Sequence, residues 1–380
     1  MTVRIAGAYE HPLRKIPDRT VPQVIAEVAY GALADAGLGL ADVDGFFCSE
    51  VPGLGSVAMS DYLGLTDLSY VDVTEGGGAS YPMHVGHAAA AVAAGKCKVA
   101  LVAMAGLPLS GQGTTGGARG PEHPYEAGYG ITTPAGYALA AQRHMYEYGT
   151  TAKQLAEIKV AAAHHAQYNP NAKLRDPVTV EEVVSSPMIS DPLHRLDCCI
   201  TTDGGGALVI VAEDVASTLP RRTVKVLGHG ETIKHSATGR LDLTYTGAAV
   251  SGPRAFTEAG LTPKDVDYVS IYDSFTITVL MSLEDLGFCE KGKGGAYVTG
   301  GTLRADGALP FNTDGGGLCN NHPDSRGGMI RTIEAVRQLR GEAAPEVQVP
   351  GCRIGLVQGH GGNLGFRTAA ATLLLGAEDA

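Results

Sequence analysis

The segment AGLGLADVDGFF at 36–47 recurs as AGLTPKDVDYVS at 259–270, an offset of 223 residues. Each copy ends a helix-like segment at a glycine, passes through a short turn and enters an apolar strand. A second pair follows, because TEGGG at 74–78 is echoed by TDGGG at 313–317. Each glycine triplet precedes a helical stretch and then an apolar strand. The chain is therefore predicted to contain two copies of one β–α unit.

The strands after the two triplets, KVALVAMAG at 98–106 and RIGLVQGHGG at 353–362, are almost continuously apolar. This character is typical of strands covered by helices on both faces. We predict an α/β fold made of two duplicated halves, residues 1–220 and 221–380. A long insertion at about 107–197 begins with a loop rich in glycine and proline. Long segments of this kind are usually functional, so we expect a substrate-facing subdomain on the first half.

Composition narrows the class of protein. The chain has 380 residues, of which 44% are hydrophobic and only 18% charged, as in large α/β enzymes. Its net charge of −11 and the lack of a basic stripe argue against nucleic acid as a partner. No secretory signal pattern and no apolar run of about 18–20 residues is visible, which predicts a cytoplasmic protein without a membrane span.

Cysteine and histidine spacing indicates no metal site. The seven cysteines are an odd number, widely spread and without a CxxC pair, so neither a disulfide framework nor a zinc site is signalled. His84 and His87 lie on neighbouring positions of one predicted helix, but further ligands at suitable spacing are missing. Packing against the alanine-rich helix is the simpler interpretation for both histidines.

Several segments together resemble the thiolase superfamily, and within it the sterol-carrier-protein-associated thiolase-like group of acetyl-CoA acetyltransferases and lipid-transfer proteins. Besides the duplication, they are HMYEYGTTAKQLAEIKVAAAHHAQYNPNA (144–172), TTDGGGALVIV (201–211), VSIYDSFTITVLMSLEDLGF (269–288), NNHPDSRGG (320–328) and GHGGNLGFRTAAATLLL (359–375). The resemblance covers nearly the whole chain. It implies a five-layered αβαβα fold, a homodimer and catalysis on coenzyme A thioesters. Coenzyme A then enters as part of the substrate, with no tightly bound cofactor.

The chain departs from this family at its cysteines. Thiolases carry a nucleophilic cysteine at the N-terminus of the buried helix of the first half, where the helix dipole favours a thiolate. Here residues 78–82 read GASYP, and the chain has no cysteine between 49 and 96. The second family cysteine would fall where Gly359 or His360 stands. The histidine of the family's G-H-P turn is retained as His322, with asparagine replacing the glycine.

Ser80 has three possible roles at the entrance to this helix. As a nucleophile it would need a base within about 3 Å. As a helix N-cap it would bond a free backbone N–H of the first turn, which Pro82 just inside the helix favours. In a binding role, Ser80 and the amides of glycines such as Gly78 would face a thioester oxygen. The N-cap is the interpretation that the local sequence favours most.

Two histidines are the leading catalytic candidates. His322 corresponds to the family's oxyanion-hole histidine, whose Nε2–H would stabilise an enolate oxygen on the thioester. His360 ends a buried strand between glycines, and these glycines, including Gly361, would admit close approach of a ligand. A structural turn is the alternative for His360.

Other polar candidates lie at strand ends. Tyr272 and Asp273 follow a core strand and open a helix, and strand ends in α/β proteins point into ligand crevices. Asp273 could equally cap that helix. Tyr245 is a further phenol that could reach the cleft and is predicted as a catalytic candidate from its position alone.

Without the two catalytic cysteines of the family, the reaction that the sequence favours is a retro-aldol cleavage of a β-hydroxyacyl-CoA. Such a cleavage needs a base for the β-hydroxyl proton and an oxyanion hole for the enolate, but no covalent intermediate. Within the family, cysteine-lacking members that resemble this chain include side-chain-cleaving aldolases of steroid degradation. The resemblance implies a small zinc-ribbon and OB-fold (DUF35-type) partner. A thiolase-type acyltransferase and a non-catalytic acyl-CoA-binding subunit remain the alternatives.

Overall fold

A computed structural model describes residues 2–49, 56–111, 123–129, 132–235, 242–324, 327–363 and 366–380. The strands are β1 (Val3–Glu10), β2 (Gly45–Phe47), β3 (Tyr70–Asp72), β4 (Val99–Gly106), β5 (Met188–Ser190), β6 (Leu193–His194), β7 (Gly204–Ala212), β8 (Val224–Lys234), β9 (Tyr268–Ile271), β10 (Ile354–Asn363) and β11 (Phe366–Gly376). The helices are α1 (Val21–Ala36), α2 (Ser56–Leu63), α3 (Ser80–Ala93), α4 (His123–Glu126), α5 (Thr133–Tyr148), α6 (Ala152–Ala166), α7 (Val180–Ser185), α8 (Glu213–Ala216), α9 (Ala248–Ala259), α10 (Thr276–Asp285), α11 (Gly294–Tyr297), α12 (Gly316–Cys319) and α13 (Gly327–Arg340).

The sheet shows the duplication directly. Within the described residues, nine strands form one sheet in the order β3-β2-β4-β7-β1-β8-β11-β10-β9. On each side of the β1–β8 pair come two antiparallel pairings and then a parallel one: β1–β7, β7–β4 and β4–β2 in the first half, β8–β11, β11–β10 and β10–β9 in the second. The prediction of two duplicated halves is confirmed by this symmetry.

The repeated segment at 36–47 and 259–270 forms the same turn twice. Gly37 and Gly260 end α1 and α9 with positive φ angles of 75° and 66°, a backbone conformation that glycine adopts without strain. A short 3-10 turn and then β2 or β9 follow in each copy. The same local sequence therefore delivers the chain from an outer helix into the sheet in both halves.

The layers can be followed along single strands. On β7, Leu208 and Ile210 belong to a central apolar cluster, whereas Val209 faces a cluster that contains α1. On β11, Leu373 belongs to the same central cluster, whereas Leu374 packs with α9. Helices α3 and α13 pack against each other and contact strands of both halves. The layers are therefore α1, first half-sheet, α3 with α13, second half-sheet and α9, which confirms the αβαβα fold.

The insertion at 107–197 packs differently from the prediction. Its glycine-rich start at 112–122 lies outside the described residues. Helices α5 and α6 contact α10, and their apolar residues share a cluster with those of the second half. The insertion belongs to the first half in sequence but packs on the second half, because apolar residues of α5 and α6 bury the side of α10 that faces them.

Helix α13 carries a line of charge through the interior. Arg331, Glu334, Arg337 and Arg340 follow one another at every third position, and all but the half-buried Arg337 are buried. The Arg331 guanidinium binds both carboxylate oxygens of Asp314, at 3.0 and 2.9 Å. Buried charges of this kind persist only when they are paired, so these contacts define how α13 is seated.

The part of the chain that the structure describes contains neither a candidate membrane span nor a candidate metal cluster. None of the helices there combines the length and apolar character that a membrane span needs. No group of three or more histidine, cysteine, aspartate or glutamate side chains there is arranged to hold a metal ion.

We expect Arg331→Met to lower the free energy of unfolding by about 3–5 kcal/mol, because Asp314 then keeps a buried charge without its main partner. Chemical denaturation measures the change. The exposed Arg222, changed to Met, is the control and should stay within about 0.5 kcal/mol of the parent chain. Equal effects of the two changes would contradict the importance of the buried pair.

Candidate active site

The entrance to α3 has no room for a side chain at Gly78. A Cβ atom on Gly78 would lie 2.2 Å from the backbone oxygen of His360 and 2.5 Å from the Cε2 and Cζ atoms of Tyr272. Both distances are shorter than real Cβ contacts allow. The ring of Tyr272 therefore occupies the space in which a side chain at this position would stand.

The end of β10 crosses the same turn with backbone against backbone. A Cβ atom on Gly361 would lie 1.7 Å from the oxygen of Gly76, and one on Gly359 would lie 2.9 Å from Ala79 Cα and from Gly78 O. Side chains alternate along a strand, so Gly359 and Gly361 face the turn while His360 faces the other way. Of the two residues considered for the second cysteine position, Gly359 is the one directed at Gly78.

His360 is held on the far face of β10 by α10. Its Nε2 lies 2.8 Å from Ser282 Oγ, and that hydroxyl lies 2.6 Å from the carbonyl of Thr278. The single Ser282 proton is used on this carbonyl, so His360 must donate Nε2–H and leave Nδ1 unprotonated. Burial lowers the pKa of His360 to about 4, consistent with a neutral ring. The structure does not bring the His360 imidazole together with Tyr272.

Tyr272 and His322 form a pair of rings beside Gly78. Their centroids are 5.3 Å apart with planes inclined by 58°. Tyr272 is 5% exposed, its hydroxyl donates to the carbonyl of Asp324 at 3.2 Å, and burial raises its pKa well above 10. Burial lowers the pKa of His322, and its buried Nε2 has no hydrogen-bond partner among the described residues. At pH 7 the pair is thus a protonated phenol beside a neutral imidazole.

Asp273 anchors the loop that leads to His322. Its carboxylate accepts hydrogen bonds from the backbone N–H groups of Gly317 at 2.7 Å and Leu318 at 3.1 Å. The aspartate therefore caps α12 rather than α10, whose N-cap position is occupied by Phe275 without a side-chain hydrogen bond. A negative charge at a helix N-terminus is stabilising, which explains a buried carboxylate here.

Ser80 is the first residue of α3, and the cap position before it is Ala79. Its hydroxyl accepts from the N–H of Gly76 at 2.8 Å and donates to the carbonyl of Gly77 at 2.7 Å. The N-cap interpretation is thus corrected: Ser80 bonds the preceding turn and not an N–H of the first helical turn. Both bonds engage the backbone, and the nearest carboxylate, of Glu75, is 3.4 Å away.

The described contacts of Tyr245 involve neither Tyr272 nor His322. The ammonium of Lys234 sits 3.5 Å from the centroid of the Tyr245 ring and donates to the Tyr245 carbonyl at 2.6 Å. The described contacts thus associate Tyr245 with the end of β8.

One residue near the site was missed by sequence reasoning. Tyr137, on α5 of the insertion, donates its hydroxyl to the carbonyl of Gly362 at 3.1 Å and is 4% exposed. Its ring lies 4.2 Å from that of Phe275, centroid to centroid. No motif marks Tyr137, because it reaches β10 only through the packing of the insertion on the second half.

His87 forms ion pairs with two carboxylates. It lies between Asp72 at 2.6 Å and Glu231 at 3.0 Å, and these hydrogen bonds raise its pKa to about 9. His84 packs edge-on against Phe47, with ring centroids 6.3 Å apart. Both histidines help to seat α3 between the halves.

An αβαβα fold with a glycine-lined site at the N-terminus of the central helix defines a thiolase-fold protein. Residues 230–377 match the family described as thiolase C-terminal domain-like. The chain is 35% identical to the acetyl-CoA acetyltransferase of Methanothermobacter thermautotrophicus, over 96% of this chain and 97% of that protein. The chain belongs to the thiolase superfamily.

Two further relatives are aldolases. The chain is 33% identical to the steroid side-chain-cleaving aldolase of Thermomonospora curvata, over 89% of this chain and 90% of that protein. A solved Ltp2-ChsH2(DUF35) aldolase shares 32% identity and superimposes with a TM-score of 0.90, covering 99% of this chain and 98% of the other.

We expect Ser80→Ala to reduce stability but not turnover. Removing the hydroxyl leaves the buried N–H of Gly76 without its partner, which costs about 1–3 kcal/mol of unfolding free energy. Denaturation curves and kcat at 25 °C measure the two effects separately. A kcat that falls several hundred-fold in a folded variant would instead assign Ser80 to the chemistry.

Proposed function

We propose that the chain cleaves the Cα–Cβ bond of a β-hydroxyacyl-CoA by a retro-aldol reaction. The observation that carries this proposal is the ring of Tyr272 in the space of a side chain at Gly78, 2.5 Å from its Cβ position. A thiolase holds the acyl group on a nucleophile, whereas a retro-aldol cleavage needs only a proton acceptor and a stabilised enolate. The turn at Gly78 has no side chain that could act as a nucleophile, and the phenol of Tyr272 lies beside it. This arrangement suits a retro-aldol cleavage.

The protonation states suggest separate roles for the two rings. His322, neutral at pH 7, accepts the β-hydroxyl proton at Nε2. The hydroxyl-bearing carbon becomes a carbonyl as the Cα–Cβ bond breaks, and the electron pair of that bond forms the thioester enolate. Tyr272 keeps its proton and donates a hydrogen bond to the enolate oxygen. The proton on His322 then returns to Cα, so that the products are an aldehyde or ketone and a shorter acyl-CoA.

This assignment differs from the role that the family resemblance gives to His322. An oxyanion-hole histidine would donate its Nε2–H to the enolate oxygen. Here Tyr272 is the donor instead, because its raised pKa keeps its hydroxyl protonated at pH 7. The hydrogen bond from Tyr272 to the Asp324 carbonyl is long, at 3.2 Å, so a substrate oxygen can replace it with little loss. The neutral imidazole of His322, whose Nε2 has no hydrogen-bond partner among the described residues, is left as the acceptor.

The relatives support acyl-CoA chemistry and differ on its type. Two of them are named aldolases, which agrees with the geometry at Gly78. The acetyl-CoA acetyltransferase supports the alternative, a thiolase-type acyl transfer. The hydroxyl of Ser80 is engaged with two backbone groups at 2.8 and 2.7 Å and lies 3.4 Å from the Glu75 carboxylate, so the turn offers less to this alternative.

We further propose that the chain acts as a homodimer with a DUF35-type partner subunit. The solved aldolase that superimposes on this chain is named together with a DUF35 component. Light scattering of the chain alone and after co-expression with such a subunit measures both steps of assembly.

A β-hydroxyacyl-CoA offered without free coenzyme A should yield a carbonyl compound and a shorter acyl-CoA in equal amounts. The carbonyl product is trapped with a hydrazine and the thioesters are separated by chromatography. A 3-ketoacyl-CoA with added coenzyme A is the comparison for acyl transfer. Cleavage that depends on free coenzyme A would overturn the proposal.

We expect Tyr272→Phe to lower kcat by about 10²–10³-fold, the usual effect of losing one oxyanion donor. The ring still fills the space at Gly78, so the unfolding midpoint should change little. Tyr146→Phe, at an exposed position, is the control and should retain full activity. Near-normal turnover of Tyr272→Phe would remove the phenol from the mechanism.

A further inference from the structure

We propose that Thr202 and Asn321 are positioning residues that hold His322 in place through a hydrogen-bond relay from Glu10. This inference rests on the proposed function, in which His322 accepts the substrate proton. It assigns a task to the asparagine that stands in place of the family's glycine. The relay joins residues of the first half to the catalytic turn of the second half.

The relay begins at a buried anion. Glu10, at the end of β1, is 8% exposed. Burial disfavours its charge, but Arg14, Arg337 and the hydrogen bond from Asn321 outweigh this and lower its pKa to about 2. Its Oε1 accepts from Arg14 Nη2 at 2.7 Å and from Asn321 Nδ2 at 2.9 Å, and its Oε2 accepts from Arg337 at 3.0 Å. Glu10 is therefore ionised at pH 7.

The charge on Glu10 fixes the direction of every following hydrogen bond. A carboxylate can only accept, so Asn321 must turn its NH2 group to Glu10 and its Oδ1 to Thr202. Thr202 Oγ1 lies 2.7 Å from this oxygen and must donate to it. The lone pairs of the Thr202 hydroxyl are then free to accept the backbone N–H of His322, at 2.8 Å.

Thr202 thus holds His322 by both of its backbone groups. In addition to the bond at Oγ1, the N–H of Thr202 donates to the carbonyl of His322 at 3.4 Å. Thr202 and Asn321 are fully buried, so water does not compete for these bonds. Among the described residues, Nε2 of the His322 imidazole has no hydrogen-bond partner, so the ring's position is set by its contact with Tyr272 and by the placement of its own backbone.

Gly204 lies against the side-chain amide of Asn321 and leaves room for it because it has no side chain. A Cβ atom on Gly204, at the start of β7, would lie 3.0 Å from both Nδ2 and Oδ1 of Asn321. Arg14 binds the adjacent Asn320 at Oδ1 through Nε at 3.1 Å and Nη2 at 2.8 Å, which fixes the same turn from the other side. The two asparagines are thus held by side chains of the first half.

Thr202→Val and Thr202→Ser form the matched pair that tests the relay. Valine keeps the size but loses the hydroxyl, and we expect kcat to fall about 10–100-fold, since a small misplacement of a catalytic group has effects of this size. KM should change little, and serine should restore most of kcat. In a His322→Ala chain, Thr202→Val should have no further effect, because a positioning residue acts only through its target.

A second measurement is independent of turnover. The NMR signal of the His322 ring, in protein labelled at histidine and assigned by its loss in His322→Ala, should shift in Thr202→Val and return in Thr202→Ser. Asn321→Gly, which introduces the family's residue, should shift the His322 signal in the same way as Thr202→Val. It replaces Thr202→Val in the test if the Thr202→Val chain does not fold. If the parent chain fails to cleave its substrate, the proposed function fails, and this signal still decides the relay.

Two results would overturn the relay. One is a Thr202→Val chain with normal kcat and an unchanged His322 signal. The other is a further fall in rate when Thr202→Val is added to His322→Ala, which would indicate a general structural role.

Discussion

The line of charged residues on α13 is the constraint on which the site depends. A guanidinium inside a protein is costly unless it is paired, so each of these side chains accepts few positions. Arg340 reaches Asp35 of α1 at 2.8 Å, Arg337 reaches Glu10 of β1 at 3.0 Å, and Arg331 holds Asp314 in the loop before α12. Close apolar packing between the halves already resists displacement. The paired charges that cross from α13 to the first half add specific geometric requirements to this packing.

This seating of the halves allows the backbone contact at the site. Gly361 of β10 approaches Gly76 so closely that a side chain on Gly361 would overlap the Gly76 carbonyl oxygen. Tyr272, from the second half, reaches Gly78 of the first half across the same junction. The site is thus assembled from two segments that meet only when the halves are correctly seated. Its geometry is a property of the interface between the duplicated units rather than of either unit.

The sequence predicts some of these features and misses others for definite physical reasons. The repeat around Gly37 and Gly260 predicts the duplicated turn, because glycine in a left-handed conformation is a local signal. The absence of a cysteine near Gly78 is visible in the sequence, which has none between residues 49 and 96. The face of β10 from which the His360 side chain projects is not visible in the sequence, since a shift of one residue along a strand moves every side chain to the opposite face. The hydrogen bonds of Thr202 and Asn321 join distant parts of the chain, and no spacing reveals them.

The space left by the absent nucleophile explains why a tyrosine is suited to this position. A glycine at the N-terminus of a buried helix would otherwise leave a cavity, and cavities in a packed interior are destabilising. The ring of Tyr272 fills that space, and in the proposed reaction the same residue also supplies the hydrogen bond to the thioester oxygen. The same burial keeps the phenol protonated and His322 neutral at pH 7, so in the proposed reaction one desolvated pocket supplies both the hydrogen-bond donor and the proton acceptor.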